Sequence, residues 1–312
     1  MMPRGRFVFG NEARHAILSH DGYNVNVNQQ KLEEQLKDLP LGGLRYFDRL
    51  GSTNDEAAAW LKTDCPDLAL VVADEQTTGR GRGGRKWFTP AGSALAFSLV
   101  LRSDGQISQL LKYQNTARLN GLGALAVCQA LQKQYDLPAQ IKWPNDILVY
   151  ERKLSGVLAE AHWIGNKLTA VVLGIGLNVL PASVPPGSWD TLNPHPFPAT
   201  SLEAVLGASV ERWGLLSAIL DELLRWRQRL SGSDFLQAWE ANLAYRDQWV
   251  QVFPPGMGSD FETGKILALE EDGSLQIEKE SGEILRLRSG EIHPSNPPLD
   301  GFRLRPVDSP EK

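Results

Sequence analysis

Four cations and four glycines share the run Gly79-Arg80-Gly81-Arg82-Gly83-Gly84-Arg85-Lys86, which has no acid in it and leads into Trp87. Glycine lets the main chain pass close to a ligand and adopt positive φ. Arginine forks match the oxygens of a carboxylate or phosphate. The run is not a P-loop, since the order G-x-x-x-x-G-K-[ST] is missing. It also lacks the acidic partner ~20 residues on that a dinucleotide fingerprint requires. By itself it reads equally as a solvated loop or as an RG-type RNA contact. A second group is Lys142-Trp143-Pro144-Asn145-Asp146, followed closely by Arg152-Lys153-Leu154-Ser155-Gly156. It puts two lysines, an asparagine and an aspartate at the ends of neighbouring strands, where Asn and Asp also serve plain turns. Ser52-Thr53-Asn54 opens a helix, a place that suits an anion or a polar carbonyl as well as an ordinary cap. Gly174-Ile175-Gly176-Leu177-Asn178 closes a strand, with Asn178 either a site residue or a turn residue.

Other chemistries are absent from the residue inventory. There is no convincing Ser/His/Asp or Cys/His set for a protein nucleophile. The five histidines show no HExxH spacing, and Cys65 and Cys128 are too few for a disulfide framework or a Cys-rich zinc module. With 32 Lys and Arg against 37 Asp and Glu, the net charge is −5. That is the wrong sign for a protein that coats a duplex. The uncharged apolar stretch Leu168 to Val184 is broken by glycines, an asparagine and a proline, and falls short of the ~20 residues of a membrane span. Residues 1–11 carry only Phe7-Val8-Phe9 as an apolar cluster, too short for a signal peptide. The expectation is a cytoplasmic protein with no membrane contact.

These groups need a scaffold, and the periodicity supplies one. Residues 1–43 are polar and weakly periodic and read as an extension without the paired helices of a DNA-binding helix-turn-helix. Strand signals at 44–47, 68–73 and 94–101 surround a helix start at which Thr53 and Glu56 match a capping box. Helical spacing at 110–135 is followed by strands at 139–142, 147–150, 154–161 and 168–175, the last pair joined by a turn at Gly165-Asn166. Helices follow at 213–230 and 234–245. The pattern predicts an α+β fold with a mixed sheet over 44–245. From residue 246 to 295, strand-like runs at 249–253, 263–269, 274–279 and 284–288 alternate with Asp272-Gly273 and Ser281-Gly282 turns, which predicts a small β-barrel. Residues 296–312 are proline-rich and polar and read as a disordered tail.

The order of the motifs adds a resemblance. A polar helix start, then Asp74-Glu75-Gln76 into GRGRGGRKW, then KWPND, RKLSGVLAE and GIGLN resembles the biotin protein ligase family across residues 45–245. The small barrel matches that family's SH3-like domain. The resemblance implies a catalytic domain of the biotin/lipoate ligase type. It also implies a two-step reaction in which biotin and ATP form biotinyl-5'-adenylate, with Mg²⁺ accompanying the nucleotide. A lysine of a biotin carboxyl carrier protein then takes the biotinyl group. Carried across residue by residue, it assigns Ser52, Thr53, Asn54 and Gln76 to the ureido head of biotin. Arg80, Gly81 and Arg82 form the loop over biotin and phosphates, and Gly156 allows a close backbone approach. Lys153 meets the biotin carboxylate and the developing adenylate. Lys142, Asn145, Asp146 and Asn178 line the ATP side, with Asp146 also orienting or deprotonating the incoming amine. The catalytic residues expected are therefore Lys153, Arg82 and Asp146, and no protein-held metal site is identified. The competing readings are a lipoate or octanoate ligase and an RG-loop nucleic-acid-binding protein. The chain departs from the family at Ser93-Ala94, where many members read Gly-Asn. His293-Pro294-Ser295 also follows Gly290-Glu291-Ile292 where some members place an arginine that reaches the nucleotide. Sequence-specific DNA binding is not expected. The loop at 79–86 is expected to stay open until an anion offsets its four cations.

Overall fold

Ala69 to Ala73 are buried without alternation, because their strand, β2 (Ala69–Gln76), lies inside a sheet covered on both faces. The structure, a computed structural model, describes residues 27–104, 107–108, 116–185, 198–254 and 260–295. The seven strands of the main sheet run in the order β1 (Gly43–Leu50), β2, β3 (Ala94–Arg102), β7 (Lys167–Asn178), β6 (Arg152–Ile164), β5 (Asp146–Val149) and β4 (Ala139–Lys142). Only the β1–β2 pair is parallel, so the sheet is mixed and the fold is α+β.

Side-chain alternation divides the apolar residues between two cores. Leu70, Val72, Phe97 and Leu99 face the larger one. The helices Ala117–Tyr135 and Arg212–Arg227 pack there against each other and against the sheet. Ala69, Val71, Val100, Ala170 and Val172 face the opposite side, where the short helix Thr53–Trp60 lays down Ala57. Residues 27–36, taken from sequence as part of a polar extension, form a helix whose Leu32 and Leu36 are buried. It packs on the helix Arg212–Arg227, and Ser217 Oγ donates to Gln35 O at 3.3 Å. Two leucines four apart are enough to dock it, although ten residues give too weak a period to stand out in the sequence. Residues 1–26 and the expected tail at 296–312 lie outside the described residues. Among the described residues no helix is long and apolar enough to cross a membrane.

The four strand-like runs of the C-terminal region are present as Trp249–Phe253, Glu262–Leu269, Leu275–Lys279 and Ile284–Leu287. A fifth strand, Glu291–Pro294, pairs antiparallel with Trp249–Phe253. It lies at the edge of this five-stranded antiparallel sheet, where a proline can sit without breaking the ladder. The two sheets are joined by polar bonds through buried side chains. Trp143 Nε1 donates to Gly273 O at 3.0 Å, and Arg118 Nη1 donates to Glu271 O at 2.7 Å. Gly273 has φ +82°, and a Cβ there would lie 3.0 Å from the Trp239 ring, so the Asp272-Gly273 turn fits only as glycine. Replacing Trp143 by Phe keeps the aromatic packing but strands a buried carbonyl. The expected cost is about 1–3 kcal/mol, read as a lower urea midpoint at unchanged slope.

Candidate functional site

Along the helix-covered face of the sheet, the small core ends where the side chains shrink. Ala170, Val172, Gly174, Gly176 and Asn178 alternate onto that face of β7, and Gly156, Leu158 and Glu160 onto that face of β6. The register places Gly156 opposite Gly176 and Leu158 opposite Gly174. A Cβ on Gly174 would come 2.0 Å from Asn54 Oδ1, and one on Gly176 would come 2.3 Å from the Trp87 indole. Those distances exclude any larger residue without displacement. The bare strip floors a cavity of about 550 Å³, the size class of a small-molecule site.

One wall is built from uncharged hydrogen-bonding groups. The helix Thr53–Trp60 begins after Ser52, but the capping box expected from Thr53 and Glu56 does not form. Thr53 is the first helical residue, and its N–H and hydroxyl both donate to Gln76 Oε1, at 2.9 and 3.2 Å. Glu56 turns outward to Arg45 at 2.8 Å. Gln76 passes the chain on to Thr89, its Nε2 donating at 3.1 Å. Ser98 Oγ lies 2.6 Å from Asn54 Oδ1 and 2.8 Å from Thr53 Oγ1. Buried amides and hydroxyls are thereby satisfied and held in fixed orientations.

The opposite end is cationic. Lys142 and Asp146 face each other across the β4–β5 pair, and Lys153 Nζ lies 2.7 Å from Asp146 Oδ1. Burial works to raise the Asp146 carboxyl, but Lys153 and Lys142 outweigh it and hold the group below the usual carboxylate range. Burial pushes the Lys142 ammonium down to about 8. Lys153 also lies 5.6 Å from the centroid of Trp87, within cation–π reach. Asn145 and Asn178 shape this end by tying down main chain: Nδ2 of each donates to a carbonyl, Val157 O at 2.9 Å and Thr200 O at 3.0 Å.

The glycine-rich loop closes over the cavity as a tight hairpin, with Gly81 N donating to Arg85 O at 2.7 Å and Trp87 N to Gly79 O at 2.8 Å. Three of its four cations have partners of their own, which corrects the repulsion argument for an open loop. Arg80 pairs with Glu160 and with Asp55, Arg82 Nη1 donates to Gly290 O at 2.7 Å, and Arg85 pairs with Glu291. Glu291 belongs to the small C-terminal sheet and lines the cavity. An acidic residue of that sheet therefore stands in the wall although the arginine of some family members is missing. Hydrogen bonding to His293 and the nearby Arg85 outweigh burial and hold the Glu291 carboxyl down to about 2.

Every residue singled out from sequence lines this one cavity: Ser52, Thr53, Asn54 and Gln76; Arg80, Gly81 and Arg82; Lys142, Asn145 and Asp146; Lys153, Gly156 and Asn178. Sequence reasoning passed over Trp87, Arg85, Gly174, Gly176 and Glu291 as lining residues. Trp87 and the two glycines sat inside motifs already noted, and their period-two spacing was the available signal. Glu291 sat in the Gly290-Glu291-Ile292 element noted for the family's arginine, but a residue so remote in sequence reaches the site only through the packing of the second sheet. Among the described residues no group of three or more His, Cys, Asp or Glu side chains gathers as for a metal ion.

Comparison with known proteins agrees with this geometry. Residues 46–178 match the biotin/lipoate A/B protein ligase family. The bifunctional ligase/repressor BirA of Bacillus subtilis is 31% identical over 301 residues, covering 87% of this chain and 82% of that protein. The biotin–[acetyl-CoA-carboxylase] ligase of Paracoccus denitrificans is 31% identical over 236 residues, covering 75% of this chain and 93% of that protein. Among solved structures, the biotin protein ligase from Aquifex aeolicus in complex with biotin and ATP superposes with a TM-score of 0.63 at 27% identity, covering 81% of this chain and 98% of that one. With the motifs in order, one cavity gathering them and relatives matched over most of their length, the chain belongs to the biotin protein ligases of the biotin/lipoate A/B protein ligase family.

Proposed function

We propose that this protein is an ATP-dependent biotin protein ligase. It activates biotin as biotinyl-5'-adenylate and transfers it to a lysine of a biotin carboxyl carrier protein. The observation that carries the reading is the polarity of the main cavity. Fixed uncharged donors and acceptors at Thr53, Asn54 and Gln76 occupy one end, lysines 142 and 153 the other, with a glycine floor between them. A ureido ring needs the first and a carboxylate meeting a triphosphate needs the second. A lipoyl or octanoyl tail would bring no donors or acceptors to the amide wall and would leave its remaining hydrogen-bonding capacity unused. The acidic balance of the chain likewise gives no support to an RG-loop nucleic-acid function.

The chemistry asks for position and charge rather than a protein nucleophile. A biotin carboxylate oxygen attacks the α-phosphorus and pyrophosphate leaves. The carrier amine then attacks the acyl carbon, AMP leaves with its bonding pair, and the amine gives up one proton. Lys153 is the cation for the carboxylate and the phosphoryl oxygens, assisted by Arg82. Lys142, with Asn145 and Asn178 as frame, serves the nucleotide. Asp146, kept ionised by two lysines, is a weak base and a good anchor. Its part is to orient Lys153 and the incoming ammonium. Mg²⁺, which offsets phosphate charge when bound, fits here as an ion carried by the nucleotide with at most a carboxylate or two from the protein. We read the five-stranded C-terminal unit as the family's SH3-like barrel and place the reaction in the cytoplasm.

The test is exchange of pyrophosphate into ATP by the purified protein. Exchange should depend on biotin, and lipoate should not support it; the reverse dependence would overturn the reading. Lys153→Gln keeps a donor for Asp146 but removes the charge. It should lose adenylate formation by about a hundredfold or more, roughly 3 kcal/mol, with the unfolding transition little changed. The pH dependence has a definite sign. Lys142 in the free protein loses its proton as pH rises through about 8, while a bound phosphate favours the charged form. Nucleotide affinity should therefore fall above pH 8, by up to about tenfold per pH unit, and Lys142→Arg should flatten that fall. Isothermal titration between pH 7 and 9.5 reads both.

A further inference from the structure

Glu160 stands apart from the residues assigned above. It lies on the cavity face of β6, two positions beyond Leu158, and lines the hollow on the outer side of the glycine-rich loop rather than the main cavity. Its carboxylate is shared by two elements far apart in sequence. Arg80 Nη1 donates to Oε1 at 2.8 Å and Arg80 Nη2 to Oε2 at 2.5 Å. Asn54 Nδ2 donates to the same Oε2 at 2.7 Å. Asp55 adds a second anion to Arg80 at 2.9 Å.

We propose that Glu160 is a positioning residue that latches the glycine-rich loop over the cavity through Arg80 and at the same time fixes the Asn54 amide. The proposal rests on the reading of that loop as a lid over a bound acid. Exposed ion pairs are generally weak, but the two-pronged guanidinium–carboxylate geometry is the exception. The loop's opposite flank is held by Arg82 on Gly290 and Arg85 on Glu291, so among the described residues Arg80 is its one ion-pair tie to the β6 side. For Asn54 the argument is one of direction. A carboxylate cannot donate, so the amide nitrogen must face Glu160, with Leu158 O a longer second acceptor at 3.4 Å, and this turns Oδ1 to the hydroxyl of Ser98. An unlatched loop and an amide held only by its weaker partners should therefore arise together when the charge at 160 is removed. In this arrangement Arg80 closes the lid against the protein's own carboxylate, and the ligand's charge is left to Arg82 and Lys153.

Glu160→Gln preserves shape but presents an amide to two donors. In limited trypsin digestion of the full, ligand-free chain, cleavage after Arg82, Arg85 and Lys86 should speed up about tenfold in Glu160→Gln and in Arg80→Gln. The double variant should be cut no faster than the faster single one, the signature of one shared interaction. Biotin dissociation, followed by chase, should also be about tenfold faster in Glu160→Gln with association little changed, which a merely structural role would not produce. Cleavage of Glu160→Gln at the wild-type rate, or single effects that multiply in the double variant, would overturn the latch. A faster-cut loop with unchanged biotin dissociation would overturn its link to Asn54. Arg80→Gln lies on the loop and decides the latch by itself should Glu160→Gln not fold. Proteolysis needs no ligand, so a wild-type protein that fails to bind biotin would count against the proposed function and leave the latch to be judged by cleavage alone.

Discussion

A sheet face that carried ordinary side chains would fill the space this protein keeps empty. At Gly174 and Gly176 the main chain comes so near to Asn54 and Trp87 that even a methyl group collides. Everything else in the site is placed relative to that cleared strip. The helix start at Ser52 drops onto it from one side, and the indole of Trp87 lies on it from the other. The β6 partner contributes a third glycine, Gly156, at the matching register. Close packing makes such a gap an active feature, since a sheet face otherwise buries itself against the nearest apolar neighbour. The small core under the helix Thr53–Trp60 does this as far as Val172 and then stops.

Around the strip, charge is balanced locally rather than left for a ligand to balance. Asp146 lies between two lysines, Arg85 meets Glu291, and Arg80 meets Glu160. A cluster of like charges in a partly buried pocket would repel and open. An alternating set stays folded and exchanges partners when an anion enters. Preorganised charge of this kind avoids reorganisation at the moment of reaction, the main source of electrostatic catalysis. It also explains how a chain of net charge −5 maintains a cationic pocket end.

Much of this was legible in the residues. The β6 and β7 hairpin, the mixed sheet and the four main C-terminal strands follow from apolar alternation and Gly-containing turns, and the motif residues converge on one cavity. What escaped has physical reasons. The helix at 27–36 holds its place through two leucines that meet a partner almost two hundred residues later, and local periodicity carries no trace of the partner. Thr53 and Glu56 satisfy the spacing of a capping box, yet tertiary partners, Gln76 and Arg45, offer each a better bond. The loop's cations looked mutually repulsive because the acids that pair with them lie at 55, 160 and 291. Strand Glu291–Pro294 is too short, and too marked by its proline, to announce itself.

The bond from Arg82 to the carbonyl of Gly290 spans 208 residues of chain. During synthesis, elements fold in the order in which they emerge. The sheet, the glycine floor and both lysines are complete well before Gly290 leaves the ribosome. Until then the loop has its Arg80 side held and its Arg82 side untethered. A nascent chain thus carries the glycine floor and both lysines with one edge of the cover loose and the Glu291 part of the wall still missing. The strand Glu291–Pro294, which emerges after the other described strands, brings the Gly290 carbonyl and the Glu291 carboxylate that seat the Arg82 and Arg85 side of the loop.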